Sequence, residues 1–432
     1  MIKTNYKTKQ AQTTYKQTGV TLLELMVAMA VSSVIILGIS NIYLSTKKSY
    51  VVHDEFARIQ ENGRYSMDTL STNIRNAGFF GCSSGQGIGT LGVVTNGLKN
   101  TEKSAWNFET GLMGYEAVGT DYDQATVAAP VTITPETSGG VATDWVTAAG
   151  MTSSSTAISV NPDASIVGLA VKGSDIVILR TTEGTGVRIT KDNESATLFV
   201  EDQGTVAGAC PQPAGPHTNS ISGICKGDIL LVSDCSKSRI FQATGVAPGG
   251  GPGVCGGTAC FNLTHDTSGS PGNSPPSAWA TQNGGNGYGP DSEIIKLVTK
   301  TYFIGVNPAG GITEPSLYLR ENDGTPVPLV EGIENMQVLY GVDTSGDGVA
   351  NRYFSANDVP DVDGNTDTVF DGVVSVKLSL LARTPENLPG LNRTAVELNN
   401  ITYAMVSPAP GASINIDPIA AAGAAIAGTA AT

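Results

Sequence analysis

The sequence predicts an α+β protein in which a long N-terminal helix packs on an antiparallel β-sheet head with large loop insertions. Three observations point there. Val20 to Leu44 is an apolar run broken by one charge, Glu24. The apolar spacing beyond it keeps a helical period as far as Ala77. Toward the C-terminus the pattern changes to a two-residue alternation, with Val374, Val376, Leu378 and Leu380 separated by Ser375, Lys377 and Ser379.

The first element is a membrane span. A helix needs about 20 apolar residues to cross a bilayer, and the run from Val20 satisfies that. Lys3, Lys7, Lys9 and Lys16 precede it without an acid, which holds the N-terminus on the cytoplasmic side; Lys47 and Lys48 weaken the asymmetry without reversing it. A secretory signal would place a small-residue cleavage site after a shorter apolar core. Here the small residue, Gly19, stands in front. Cutting after Gly19 would remove a basic leader, residues 1–19, and leave the apolar helix on the mature chain. A carboxylate deep in lipid costs about 2.5–3.5 kcal/mol. Glu24 lies within two turns of the cytoplasmic end and can snorkel to water, which explains its tolerance but not its purpose.

Beyond the span, Val52, Phe56, Ile59, Gly63, Met67, Leu70, Ile74 and Ala77 recur at intervals of three and four, with Asp54, Arg58, Glu61, Arg64 and Arg75 between them. That is one apolar stripe on a helix, and Gly78 stands where a helix commonly stops. A helix over 20–77 would be about 87 Å long, its first half in lipid or a filament core and its second half buried against the head.

The head follows as a loop-rich β region, 79–290, a C-terminal sheet module, 291–407, and an Ala/Gly-rich tail, 408–432. Strand candidates are 301–304, 317–320, 336–342, 374–380 and 401–406. Residues 83–170 and 244–290, rich in Gly, Ser, Thr and Pro, read as elaborated loops or poorly ordered insertions. Six cysteines, Cys82, Cys210, Cys225, Cys235, Cys255 and Cys260, form an even set in a chain expected to be exported, where disulfides persist. Fifteen pairings are open; closure of Cys210 with Cys225, or of Cys255 with Cys260, would staple loops poor in apolar residues.

Asp343, Ser345, Asp347 and Asn351 alternate around Gly346, as a calcium loop requires to wrap a cation. Phe354 stands where an EF-hand would place its Glu. Asp361, Asp363, Asn365 and Asp367 form a second alternating set. The other reading of both is a pair of solvated Asp/Gly turns. No other cofactor is expected. Three scattered histidines, with no nucleophile elbow or phosphate-binding loop, leave no catalytic constellation. Without the four leader lysines, 21 Lys and Arg face 39 Asp and Glu, a formal charge of −18, which argues against nucleic acid as a partner.

The order basic leader, Gly19, apolar helix, Glu24 resembles the class III signal of type IV prepilins and type II secretion pseudopilins, although Phe rather than Val is the usual first mature residue. The run Arg58-Ile59-Gln60-Glu61-Asn62-Gly63-Arg64-Tyr65 and the run Asn73-Ile74-Arg75-Asn76-Ala77-Gly78-Phe79-Phe80-Gly81-Cys82 resemble the PilW family of minor type IV pilins. So do segments 173–180, 227–235 and 334–343. The resemblance implies a pilin fold. It implies cleavage after Gly19 and N-methylation of Val20 by a prepilin peptidase, and a Glu24 carboxylate that pairs with the Val20 amine of a neighbouring subunit during assembly. It further implies a single-pass inner-membrane precursor with a periplasmic head that moves into the pilus. Its partners would be other minor pilins, the major pilin, the inner-membrane platform and a tip adhesin, in a complex that primes assembly and supports twitching motility and adhesion. The alternatives are a J-type pseudopilin of type II secretion and a pilus-associated adhesin whose Gly-rich loops bind a surface.

Overall fold

The computed structural model describes residues 19–81, 94–99, 103–120, 139–148, 152–210, 220–249, 259–274, 287–362 and 366–383, apart from a few positions within them, together with Cys255 and the backbone of 401–406 and 415–420. One helix, α1 (Leu22–Asn76), spans 55 residues, about 80 Å at 1.5 Å per residue. It starts two residues later than its apolar run because Thr21 is extended and caps it. It stops at Asn76 because Gly78 takes a φ of +77°, a conformation that side chains disfavour. Residues 22–50 are exposed throughout, and the helix is apolar enough to cross a membrane.

The stripe is covered only in part. Leu70 is fully buried, and Ile74 and Ala77 pack on the main core, yet Phe56 is 53% and Met67 40% exposed. Asn62 Nδ2 donates to the Glu331 carbonyl at 3.0 Å and Lys300 Nζ to Asn73 Oδ1 at 3.2 Å. At the helix exit the Gly78 N–H donates to the Arg180 carbonyl at 2.9 Å, and the Arg180 N–H to the Gly111 carbonyl at 2.8 Å. A Cβ on Gly111 would strike the Gly78 backbone, so this crossing admits no larger residue at 111.

The main sheet contains β1 (Val94–Asn96), β2 (Leu112–Ala117), β3 (Ile176–Glu194), β4 (Thr197–Glu201), β5 (Ile229–Ser233), β6 (Ser238–Gln242), β7 (Gly245–Pro248), β8 (Cys260–Thr264), β9 (Glu293–Asn307), β10 (Ile312–Glu321) and β11 (Val327–Glu331). Its order is β1-β6-β5-β9-β3-β4-β8-β7; β10 and then β11 branch from β9, and β2 pairs with β3 and with the short strand Trp145–Val146. β9, which opens the expected C-terminal module, therefore lies in the middle of this sheet. A second sheet is formed by β12 (Ile333–Val342), β13 (Arg352–Phe354) and β14 (Val373–Ala382) in the order β13-β12-β14. Among the described residues the hairpin β15 (Ile401–Val406) and β16 (Asn415–Ala420) pairs only with itself.

The long strands β3 and β9 thread two cores. Ile176 to Leu179 and Tyr302 to Ile304 lie in a cluster with Leu70, Tyr115 and Trp145. Val187, Ile189 and Ile294 lie in another with Leu198, Phe261 and Leu263. Segments 83–170 and 244–290, expected as loops, contribute more than loops do: Trp106, Phe108, Tyr115, Trp145 and Phe261 are all buried. Sparse aromatics anchor long polar stretches, and each buries a large apolar area. A strand, β16, also stands inside the tail expected from residue 408.

A polar latch joins the two sheets. Asp175, buried at the mouth of β3, accepts the N–H of Ala117 at 3.1 Å and that of Val338 at 2.8 Å. The Asp175 N–H donates to the Met336 carbonyl at 2.9 Å, and the Met336 N–H to Ser174 Oγ at 3.1 Å. Asn335 and Gln337 both donate to the Gly173 carbonyl, at 2.7 and 2.8 Å. Thus 173–175 and 335–338, two segments that carry the family resemblance, dock on each other. Gly227-Asp228 does a different job: Asp228 Oδ2 caps the Cys225 N–H at 2.8 Å, and Oδ1 meets Lys296 at 3.4 Å.

Candidate functional site

The N-terminus of α1 is a closed capping box. The Glu24 N–H donates to Thr21 Oγ1 at 3.3 Å. In return the Thr21 N–H donates to Glu24 Oε2 at 3.0 Å, and the Thr21 hydroxyl reaches the same oxygen at 3.1 Å. The four N–H groups at a helix start have no partner within the helix, and in lipid each unsatisfied one costs several kcal/mol. Glu24 and Thr21 satisfy two such donors within their own chain. The sequence carries this signal as Thr-x-x-Glu ahead of an apolar run, and the charge-centred reading passes over it.

Gly19 and Val20 are exposed in front of the box. A Cβ built on Gly19 meets nothing within 4 Å, so nothing in the fold itself demands glycine there.

The disulfide candidates divide. Cys210 joins Cys225, with Cα atoms 5.6 Å apart, and Cys255 joins Cys260, with Cα atoms 5.9 Å apart; the second pair packs with Phe199. Cys82 and Cys235 lie outside the described residues.

The Asp343 loop is organised by its own backbone. Asp343 Oδ1 accepts the N–H groups of Ser345 at 2.9 Å and Gly346 at 2.7 Å, and Oδ2 accepts that of Gly348 at 2.6 Å. The Gly348 N–H leads in holding the carboxyl below its usual range. Asn351 Oδ1 accepts from the Thr344 N–H at 2.7 Å and from the Ser345 hydroxyl at 3.3 Å, which brings Asp343, Ser345 and Asn351 together. Asp347 Oδ1 accepts the Val349 N–H at 3.0 Å. Of the second set, Asp361 is exposed; Asp363, Asn365 and the Asp367 side chain lie outside the described residues. Of the histidines, His265 sits edge-on to Phe241, and burial pushes its imidazole down to about 3, which keeps it neutral.

Residues 14–40 match the prokaryotic N-terminal methylation motif. The capped apolar helix thus lies in a prepilin-like signal. Residues 301–415, from the second half of β9 to the start of β16, match Type IV Pilus-assembly protein W, so the protein is PilW-like. No curated protein and no solved structure matches the chain significantly.

Proposed function

We propose that this chain is a minor pilin that enters the inner membrane as a prepilin with its head in the periplasm, is cut after Gly19 and methylated on Val20, and joins a minor-pilin complex that primes pilus assembly. One observation carries the reading: residues 22–44 form an apolar helical surface that the described chain leaves exposed, with one carboxylate at its very start. A surface of that kind requires lipid or other apolar helices. The partners are other minor pilins, the major pilin, the peptidase, the membrane platform and a tip adhesin, and the output is twitching motility and adhesion. The match over 301–415 favours the pilus over a secretion pseudopilus.

The open space around Gly19 supports the processing step, because the demand for glycine then comes from an enzyme that must reach the backbone. Mass spectrometry of pilus and membrane fractions is expected to find N-methylated Val20 as the first residue, and Gly19→Leu is expected to leave the leader attached. Met1 on functional protein would overturn the assignment. Calcium at Asp343, Ser345, Asp347 and Asn351 is a second, separable proposal, supported by the convergence of three of the four. A bound ion stabilises only the folded state, so the full chain is expected to melt higher in millimolar calcium than in chelator, and Asp343→Ala to abolish the difference.

A further inference from the structure

α1 carries a second stripe, on the side turned away from the head. Lys47, Asp54, Glu61, Asp68 and Arg75 recur every seven residues, close to two helical turns, so they share one face. Ile36, Tyr43, Tyr50, Ala57 and Arg64 repeat at the same interval and interleave with them at spacings of three and four. All of these are exposed, whereas Glu55, Ser66 and Leu70, on the face that meets the head, are buried. No charged side chain of the stripe is ion-paired among the described residues; the pair within the helix, Arg58 with Glu55 at 3.4 Å, lies toward the buried side. The stripe is continuous with the exposed apolar surface of 22–44, which has to meet other helices once it leaves lipid.

We propose that this stripe docks against the same stripe of a second copy of the chain, the two α1 helices parallel, back to back and displaced by 21 residues, about 32 Å at 1.5 Å per residue. The proposal rests on the pilin reading, because chains inserted in one membrane orientation run parallel. It adds which neighbour this face takes and in which register. Charge selects the register. With no displacement every charge faces its own sign. At seven residues Asp54 faces Glu61 and Glu61 faces Asp68, and at fourteen Asp54 faces Asp68. At twenty-eight Lys47 faces Arg75. At twenty-one Lys47 faces Asp68, Asp54 faces Arg75, Tyr43 lies beside Arg64 and the Ser40 hydroxyl stands opposite Glu61, with no like charges opposed. Exposed ion pairs contribute little singly, so the charges choose the register while the apolar surface drives association. The stripe faces away from the head, so two copies meet along it with their heads on opposite sides.

The test uses filaments sheared from cells that produce the full chain in two variants at once. Ala57→Cys on one copy is combined with Tyr50→Cys, Tyr43→Cys or Ile36→Cys on the other, positions that report displacements of seven, fourteen and twenty-one residues without removing a charge. Under mild oxidation the link from 57 to 36 is expected to exceed the links to 50 and 43 at least tenfold. In a second measurement Lys47→Glu and Asp68→Lys are each expected to lower the 57-to-36 link at least fivefold, and their combination in one chain to restore it to within twofold of the starting yield. A dominant link to 50 or 43, or no restoration by the combined reversal, would overturn the inference. Filaments that contain the chain without the 57-to-36 link would place a different subunit on the stripe and overturn it too. A chain absent from filaments would overturn the pilus reading along with it.

Discussion

Glu24 is held by its own helix: the carboxylate expected to reach a neighbouring subunit already accepts the N–H and hydroxyl of Thr21. Two roles therefore meet in one side chain, and three substitutions separate them. Glu24→Gln keeps an acceptor that suits the third position of a capping box but removes the charge. Glu24→Leu removes both, and Thr21→Val removes the cap while keeping the charge, at about 0.5–2 kcal/mol of helix stability. If the charge recruits the Val20 amine of another subunit, Gln and Leu should both reduce crosslinking into the filament fraction at least tenfold, whereas Thr21→Val should keep most of it. Wild-type incorporation of Glu24→Gln would reassign the residue to capping. At this scale the sequence was legible where chemistry is unusual: one charge in an apolar run draws notice, and so does a glycine just before it. The cap was equally visible as Thr-x-x-Glu, but the cost of a charge in lipid directs attention outward, to a partner, rather than to the next turn of the same helix.

Single elements were legible where their period is regular. The alternation at 374–380 lies inside β14 (Val373–Ala382), and 401–406 coincides with β15. The Asp175 latch was not legible, since a carboxylate at the start of a strand reads as solvated. It is buried because two backbone donors from different strands converge on it. Asp175→Ala leaves the N–H groups of Ala117 and Val338 without that acceptor; at about 1–3 kcal/mol per unsatisfied buried donor, the loss should be about 2–6 kcal/mol. Denaturant unfolding of the full chain in detergent measures it. Asp175→Asn, which retains one carbonyl oxygen, should cost roughly half as much, and an unchanged midpoint in both variants would show that the latch is not a stabilising contact.

Across the whole molecule, the division into a loop-rich region and a C-terminal module follows composition, whereas pairing follows neither. Tyr302 lies opposite Val177, and no periodicity in either strand announces a partner so distant in sequence. Because β3 and β9 thread both cores, the two cores should unfold together. Replacing Cys210 and Cys225 with Ser opens a loop with a sequence separation of 15, worth about 3 kcal/mol in the chain-entropy model. The midpoint should fall while far- and near-ultraviolet circular dichroism still report one coincident transition; separated transitions would show that the cores are independent. The joint at Gly78 has a mechanical meaning as well. α1 contains no proline and runs unbroken to the crossing where Gly78, Arg180 and Gly111 are tied by consecutive backbone hydrogen bonds. Tension between the membrane end of α1 and the head would load those bonds, the Asn62 and Asn73 contacts and the seat of Leu70 in parallel, as a shear joint. Such a joint resists until several fastenings give way at once, so the head would yield abruptly rather than peel from its rod.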